Sequence, residues 1–307
     1  MKYIYLIPVL LLVILTVGYI YKSGITGEAI KNIEDIEIKG SDTLLQLVSN
    51  MAEAYSELDP AARISVTGGG SGGGIAALIN GEIDIADASR KIKESEIKQA
   101  NDNGIDIWEF IIARDMLSVI VNKDNQISKL TMGEIGKIYR GEITNWKELG
   151  GKDKEITLYG RQSTSGTYAF FMEHVLEGDY SSKMRNMEGN QAILDAVRQD
   201  KSGIGYVGIG YLVDDNGKQV SGMTIIKVAK DKNSEYIYPL DKEKLFDYTI
   251  SRPLYQYFAG KPVKNSAVYN FLMFELSAQG KEIVKKSGFD EIINIDNEHN
   301  EELLSKI

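Results

Sequence analysis

Gly160-Arg161-Gln162-Ser163-Thr164-Ser165-Gly166-Thr167, running on into Tyr168-Ala169-Phe170-Phe171, is the stretch on which the reading of this chain turns. It follows a short apolar run, Ile156 to Tyr159, that reads as a buried strand. It precedes a helical pattern with Phe170, Phe171, His174, Val175 and Leu176 at the apolar positions. Ser165, Gly166 and Thr167 therefore fall at a helix start. There the first backbone N–H groups lack partners and the helix dipole is positive, a setting suited to an anion. Hydroxyls, a glycine that permits close backbone approach, and the fixed donor fork of Arg161 strengthen that setting. Taken alone, the stretch also reads as an ordinary N-cap beside a surface arginine, so the rest of the chain must decide.

Working outward, three further strand-to-loop transitions end in small polar residues. Ile36-Glu37-Ile38 runs into Gly40-Ser41-Asp42-Thr43, followed by a helix with Leu44, Leu47, Val48, Met51, Tyr55 and Leu58 on one face. Ile64 to Thr67 runs into Gly68-Gly69-Gly70-Ser71-Gly72-Gly73-Gly74, and Ile75 to Asn80 then reads as a helix closed by Gly81. Ile83 to Ala86 leads to Asp87-Ala88-Ser89-Arg90. Further on, Ile107–Ile112 and Met116–Val121 read as strands flanking Arg114-Asp115, and Thr131 with Glu134 as a capping box opening a helix to Tyr139. Asn190–Val197 reads as a helix, Ile204–Val207 and Met223–Val228 as strands, and Ser266–Leu276 as an amphipathic helix. The acidic tail from Glu291 is expected to be peripheral. Strands alternating with helices imply an α/β fold with a parallel or mixed sheet, and in such sheets ligands bind at the strand C-terminal ends.

Composition narrows the function classes. A chain of 307 residues with a formal net charge of −9 is expected to hold about two domains and to avoid nucleic acid, whose backbone wants a basic surface. A small anion remains compatible, because a local pocket can be positive on an acidic protein. The absence of cysteine excludes disulfides, thiolate metal sites, a cysteine nucleophile and a lipid-modified cysteine anchor. His174 and His299 fit no histidine-rich zinc motif. Residues 1–22 carry an apolar run, Tyr3 to Tyr21, between Lys2 and Lys22, long enough to cross a bilayer. With no A-x-A site after it, an uncleaved N-terminal transmembrane anchor is expected over a cleaved signal helix, with residues 23–32 as linker and the remainder outside.

The glycine run lacks the Gly-Lys-Ser/Thr ending of a P-loop, and only Asp87 could serve as the acidic residue of a dinucleotide fold. It reads either as an anion nest with Ser71 as an added donor or as a flexible linker. An acyl-transfer enzyme with Ser165 as nucleophile is the catalytic rival, but its setting is Ser-x-Ser-Gly-Thr rather than a Gly-x-Ser-x-Gly elbow. His174, about two helical turns beyond, reads better as a satisfied helix residue than as a base.

Together, Gly40–Thr43, Gly68–Gly74, Asp84–Arg90, Asn145-Trp146, Gly160–Thr167 and Ile204–Gly208, in this order, resemble the substrate-binding proteins of phosphate ABC transporters, the PstS-like family. The resemblance covers roughly Ile36 to Phe289. It implies a two-lobed periplasmic-binding-protein fold of type II with two crossover strands, near Ala113–Met116 and Ile250–Tyr255. Residues 33–114 and 250–307 would form one lobe and 115–249 the other, closing on phosphate by hinge motion. Carried over by position, the phosphate donors would be Thr43, the N–H of Leu44, Ser71, Arg161, Ser165, the N–H of Gly166 and Thr167, with Ser89 beside them. Ser163 stands where some members have an aspartate that tethers the arginine. Ser89 stands where some have an aspartate that accepts the phosphate's proton, which leaves Asp42 or Asp87 as the expected acceptor and Arg90 as the partner of such an aspartate, with a plain helix cap as the other reading of Asp42.

The function implied is an extracytoplasmic, membrane-tethered, monomeric receptor handing inorganic phosphate to ABC permease subunits, with no enzyme activity, cofactor, metal or nucleic-acid partner. The alternatives are a receptor for another tetrahedral oxyanion such as sulfate or molybdate, and a phosphatase or esterase using Ser165.

Overall fold

Strict alternation builds the first sheet. In β1 (Glu34–Gly40) Ile36 and Ile38 are buried while Asp35 and Glu37 are exposed, as expected for a strand covered on one face by a helix. The computed structural model describes residues 34–214 and 218–307; the anchor and linker expected over residues 1–32 lie outside them. Among the described residues, no helix is long and apolar enough to cross a membrane.

The chain then follows the α/β alternation. α1 (Leu45–Leu58) leads to β2 (Ala62–Thr67), α2 (Ser71–Ile79), β3 (Ile85–Ala88), α3 (Glu94–Asp102) and β4 (Ile107–Met116). With β12 (Ser251–Ala259) these strands make a five-stranded sheet in the order β2-β1-β3-β12-β4. β1 and β3 are parallel, Gly40 standing opposite Asp87, and β12 is antiparallel to both β3 and β4. Gly40 is required there: its φ is +148°, and a Cβ would lie 2.2 Å from the Asp87 carbonyl oxygen. Leu47, Val48, Met51 and Tyr55 of α1 pack with Ile36, Ile38 and Ile85 on one face. Ile75, Leu78 and Ile79 of α2 pack with Ala86, Ala88 and Tyr257 on the other. Burying side chains of this size stabilises by roughly 1.5–3 kcal/mol each.

Leu117 separates β4 from β5 (Ser118–Asn122), which belongs to a second sheet, so the chain crosses from one sheet to the next without a turn of its own. After β6 (Lys129–Thr131) come α4 (Met132–Arg140), β7 (Thr157–Arg161), α5 (Gly166–Phe171), β8 (Arg185–Met187), α6 (Gly189–Gln199), β9 (Gly203–Val207), β10 (Met223–Ile225) and β11 (Lys227–Ala229). The second sheet runs β10-β5-β9-β7-β8, with β7 parallel to β8 and β9. The Thr131–Glu134 capping box forms as the sequence requires, Thr131 Oγ1 accepting the Glu134 N–H at 3.2 Å and Glu134 accepting that of Thr131 at 2.9 Å. Phe171 stacks on Tyr206 and Tyr139 meets both rings edge-on, so these buried aromatics are core. The return crossing is made by β12, and Leu117 N–H bonds to Ile250 O at 2.9 Å where the two crossing segments meet.

The tail departs from expectation. Beyond α7 (Ala267–Glu275) and α8 (Ala278–Lys286), residues Asn294–Leu304 form α9, which packs on β4 through polar groups rather than lying loose. Asp296 takes a two-pronged ion pair from Arg114 (2.7 and 3.1 Å), and Asn300 bonds the main chain of Ile111 in both directions (3.0 and 2.8 Å). The Met223–Val228 run is also not one strand: β10 pairs with β5, while β11 pairs with β6 in a separate two-stranded ribbon.

Candidate functional site

The C-terminal ends of β1, β2 and β3 present the three small polar loops side by side. Thr43 is buried at the turn before α1, Ser71 at the first turn of α2, and Ser89 just past β3. Ser71 Oγ accepts the Ser89 N–H at 3.0 Å and lies 3.4 Å from Ser89 Oγ, so β2 and β3 deliver their hydroxyls to one point. Asp42 is less buried; its Oδ1 accepts the Gly69 N–H at 3.0 Å, which ties the first loop to the glycine turn.

From the second sheet, β7 delivers Arg161 and α5 delivers Thr167. Ser165 is the N-cap of α5, its Oγ accepting the Tyr168 N–H at 3.3 Å, and the six residues of α5 widen into a single π turn over Met172–Leu176. Tyr206 on β9 accepts the main-chain N–H of Arg161 at 3.2 Å and shares a 2.9 Å hydrogen bond with the Tyr180 hydroxyl. Burial pushes the Tyr206 phenol up to about 12, so it stays a neutral hydroxyl that positions the arginine strand.

The two sets of loops meet. Thr43 Oγ1 and Thr167 Oγ1 are 3.0 Å apart, Ser89 Oγ is 3.4 Å from Thr167 Oγ1, and the Gly72 N–H donates to Thr164 O at 3.0 Å. Arg161 forms an ion pair with Asp42 across the same gap, and the Tyr211 hydroxyl donates to Asp42 O at 2.5 Å. Gly166 sits where nothing larger fits, since a Cβ there would lie 2.2 Å from Ser71 Oγ and 2.8 Å from Ser89 Oγ. Four buried hydroxyls, a glycine backbone and a buried guanidinium thus converge. Among the described residues, no group pairs with Arg161 Nε. A buried donor without a partner is unfavourable by about 1–3 kcal/mol, and an oxyanion would satisfy it.

Not every expected residue joins this cluster. Leu44 is buried behind it, its N–H bonded to Ser41 O at 3.0 Å. Ser163 is exposed, and Asp42 from the opposite loop, not residue 163, holds Arg161. Arg90 turns away to a two-pronged pair with Glu96 (2.8 and 2.6 Å) rather than to an aspartate. His174 stacks on Phe170 and lies 3.1 Å from Phe170 O, so it is engaged away from Ser165, whose Oγ accepts as the cap of α5 and keeps its own proton to donate.

Asp87 is the clearest displacement. Strand alternation turns it toward α7, where Gln256 Nε2 bridges Asp87 Oδ1 (3.1 Å) and Glu275 Oε1 (3.0 Å). Desolvation pushes the Asp87 carboxyl up to about 7 against the opposing Gln256 hydrogen bond, and raises Glu275 well above its ordinary value, aided by the charge of Asp87. A carboxyl whose pKa is raised on folding gives stability that is present below its unfolded value near 4 and lost as pH climbs through its folded value. Asp87→Asn should therefore flatten the pH dependence of unfolding between about pH 4 and 8, an effect of roughly 3–5 kcal/mol at about 1.4 kcal/mol per unit. Denaturant titrations near pH 5 and pH 8 check this; an unchanged slope would show that Asp87 ionises freely in the folded chain.

Two residues at the site escape the sequence reading. Asp115 on β4 and Arg252 on β12 stand directly opposite each other at the crossing, both buried, with Arg252 Nη2 2.7 Å from Asp115 Oδ2. Arg252 also donates to Ser89 O (2.8 Å) and Thr167 Oγ1 (3.0 Å). The signal available was weak: Asp115 is one of three charged residues on β4, with Glu109 and Arg114, and Arg252 is the charged residue of β12. Elsewhere, a cavity of about 320 Å³ opens beside Trp146, lined by Lys152, Lys154, Lys201 and Asp124. Among the described residues, no group of three or more histidines, aspartates and glutamates is placed to hold a metal ion.

Comparison with known proteins agrees with this geometry. Residues 26–279 match a PBP superfamily domain. The phosphate-binding protein PstS of Staphylococcus epidermidis is 35% identical over 248 residues, which is 79% of this chain and 74% of that protein. A crystal structure from Clostridium perfringens, of a protein designated a phosphate ABC transporter substrate-binding protein with bound phosphate, superposes with a TM-score of 0.73 at 30% identity. It covers 85% of this chain and 100% of that one. An ABC-type phosphate transport receptor from Vibrio cholerae gives a TM-score of 0.66 at 26% identity, over 84% of this chain and 100% of that one. With two crossing segments joining two sheets whose polar loops meet, and with these likenesses over most of its length, the chain belongs to the PBP superfamily, among the PstS-like phosphate-binding proteins.

Proposed function

We propose that the chain is an extracytoplasmic receptor that binds inorganic phosphate between its two sheets and delivers it to the permease subunits of an ABC transporter. The observation that carries this reading is the meeting of the Thr43, Ser71, Ser89 and Thr167 hydroxyls where the loops of the two sheets come together, with buried Arg161 pairing across the same loops to Asp42 while its Nε has no partner among the described residues. The two sheets are the cores of two lobes, 33–114 with 250–307 and 115–249, that turn about the crossing segments. The protein works as a monomer tethered by its N-terminal segment. It captures its ligand and releases it unchanged, with Ser165 a cap and anion donor rather than a nucleophile.

Hydrogen phosphate carries a proton that sulfate lacks, so selectivity requires an acceptor. Asp87 faces the interior, which leaves Asp42, whose carboxylate stands at the gap between Arg161 and Gly69. A site built to accept that proton rejects sulfate by up to about 10⁴-fold. Calorimetric titration of the protein, freed of anion, should give one-to-one phosphate binding with sulfate far weaker, and Asp42→Asn should narrow the gap. Equal binding of both anions would replace this reading with that of a general oxyanion receptor. Turnover of a chromogenic phosphate ester, lost in Ser165→Ala, would replace it with an enzyme.

A further inference from the structure

Among the described residues, Arg252 is the one guanidinium that reaches both sets of loops from the crossing strands, and its partners differ in kind from those of Arg161. Nε and Nη2 both donate to Asp115 Oδ2 (3.1 and 2.7 Å), Nη1 donates to the Ser89 carbonyl (2.8 Å), and Nη2 also donates to Thr167 Oγ1 (3.0 Å). The Phe170 ring lies 5.1 Å from the guanidinium carbon, and Asp115 is itself fixed because its Oδ1 accepts the Ile209 N–H at 2.9 Å. The fork is thus held on one side by Asp115 and on the other by the Ser89 main chain and the Thr167 hydroxyl of the site itself.

We propose that Arg252, locked by Asp115, is a positioning residue of the phosphate site that fixes the Thr167 hydroxyl as a donor to the anion. The inference rests on the receptor reading above. A guanidinium has donors only, so Thr167 Oγ1 must accept from it and must send its own proton elsewhere. The oxygens within reach are Thr43 Oγ1 at 3.0 Å and Ser89 Oγ at 3.4 Å, both at the point where the loops converge. Ser71 is set the same way, since its Oγ accepts the Ser89 N–H. A hydroxyl already turned toward the anion needs no reorientation on binding, and the same guanidinium holds the Ser89 main chain at the right distance. Asp115 cancels the charge of Arg252, so the residue contributes orientation where Arg161 contributes attraction.

A buried ion pair that serves stability alone is the competing explanation, and a double-mutant cycle separates the two. In the full chain, Arg252→Lys keeps a cation opposite Asp115 but cannot span Asp115, Ser89 O and Thr167 at once. It should weaken phosphate binding by about 10- to 100-fold, the worth of one charged hydrogen bond. In a Thr167→Val background the same change should weaken it by no more than about twofold, because the hydroxyl it acts through is gone. Equal losses in both backgrounds would overturn the proposal. Asp115→Asn gives a second test that does not depend on Arg252→Lys folding. It adds net positive charge near the anion, so a purely electrostatic role gives tighter phosphate binding and overturns the proposal, whereas a loosened Thr167 gives weaker binding. Failure of the unaltered chain to bind phosphate would instead remove the receptor reading on which the proposal rests.

Discussion

Arg161→Met is expected to weaken phosphate binding by more than about 100-fold, the largest loss of any single side chain in the site. Two terms add. A charged hydrogen bond is worth about 1.5–3 kcal/mol, and the guanidinium can give the anion more than one. The substitution also strands Asp42, whose carboxylate then faces the anion without its partner. Arg161→Lys restores charge but not the fork, and is expected to recover only part of the affinity. Calorimetry at two ionic strengths checks both; a loss below tenfold in Arg161→Met would mean that Arg161 serves Asp42 and the lobe contact rather than the anion.

Gly166→Ala should be nearly as damaging for a different reason. The added methyl would lie 2.2 Å from Ser71 Oγ and 2.8 Å from both Ser71 Cβ and Ser89 Oγ, contacts that no rotamer of so short a side chain relieves. The loops of the two sheets must therefore part, and Thr167 moves away from Thr43 and Ser89. Phosphate affinity should fall by about 100-fold or more, because an error of about 1 Å in a positioned site is felt this strongly. The clash lies in the loops and not in the buried core, so thermal unfolding without anion should shift by only a few degrees. Solution scattering should show a more open form that phosphate no longer contracts. Affinity within threefold of the unaltered chain would show that the loops need not meet for binding.

The parts of the fold legible in the sequence were those written in apolar periodicity and end signals. The Thr131–Glu134 box, the Ser165 cap and the buried face of α1 each depend on residues within one or two turns, and each formed, except that Leu58, expected on that face, is exposed at the helix end. The parts that were not legible depend on pairing at a distance or on polar packing. Asp115 and Arg252 are 137 positions apart and meet only because the two crossing strands lie side by side. Asp296 and Asn300 occupy one face of α9 at a spacing of four, but that face is polar and answers to Arg114 and the Ile111 main chain, so hydrophobic patterning passes over it. Ile226 divides an apolar run that looks continuous, because its two halves serve different sheets. Asp87 shows the same limit within the site. Its place in the loop series was plain, but which face of β3 it takes follows from register: Ile85 and Asp87 share the side covered by α1 and α7. The tether of Arg161 shows it too, since Asp42 reaches it from a loop of the other sheet rather than from residue 163 in the loop that follows its own strand.

A crystal structure of the chain grown with phosphate tests the central claim most directly. The expected result is one tetrahedral anion between the sheets, held by the Arg161 guanidinium, including Nε, and by the hydroxyls of Thr43, Ser71 and Thr167, with Arg252 touching Thr167 rather than the anion. Phosphate seated instead among Lys152, Lys154 and Lys201 beside Trp146, with the Arg161 cluster unchanged, would contradict it.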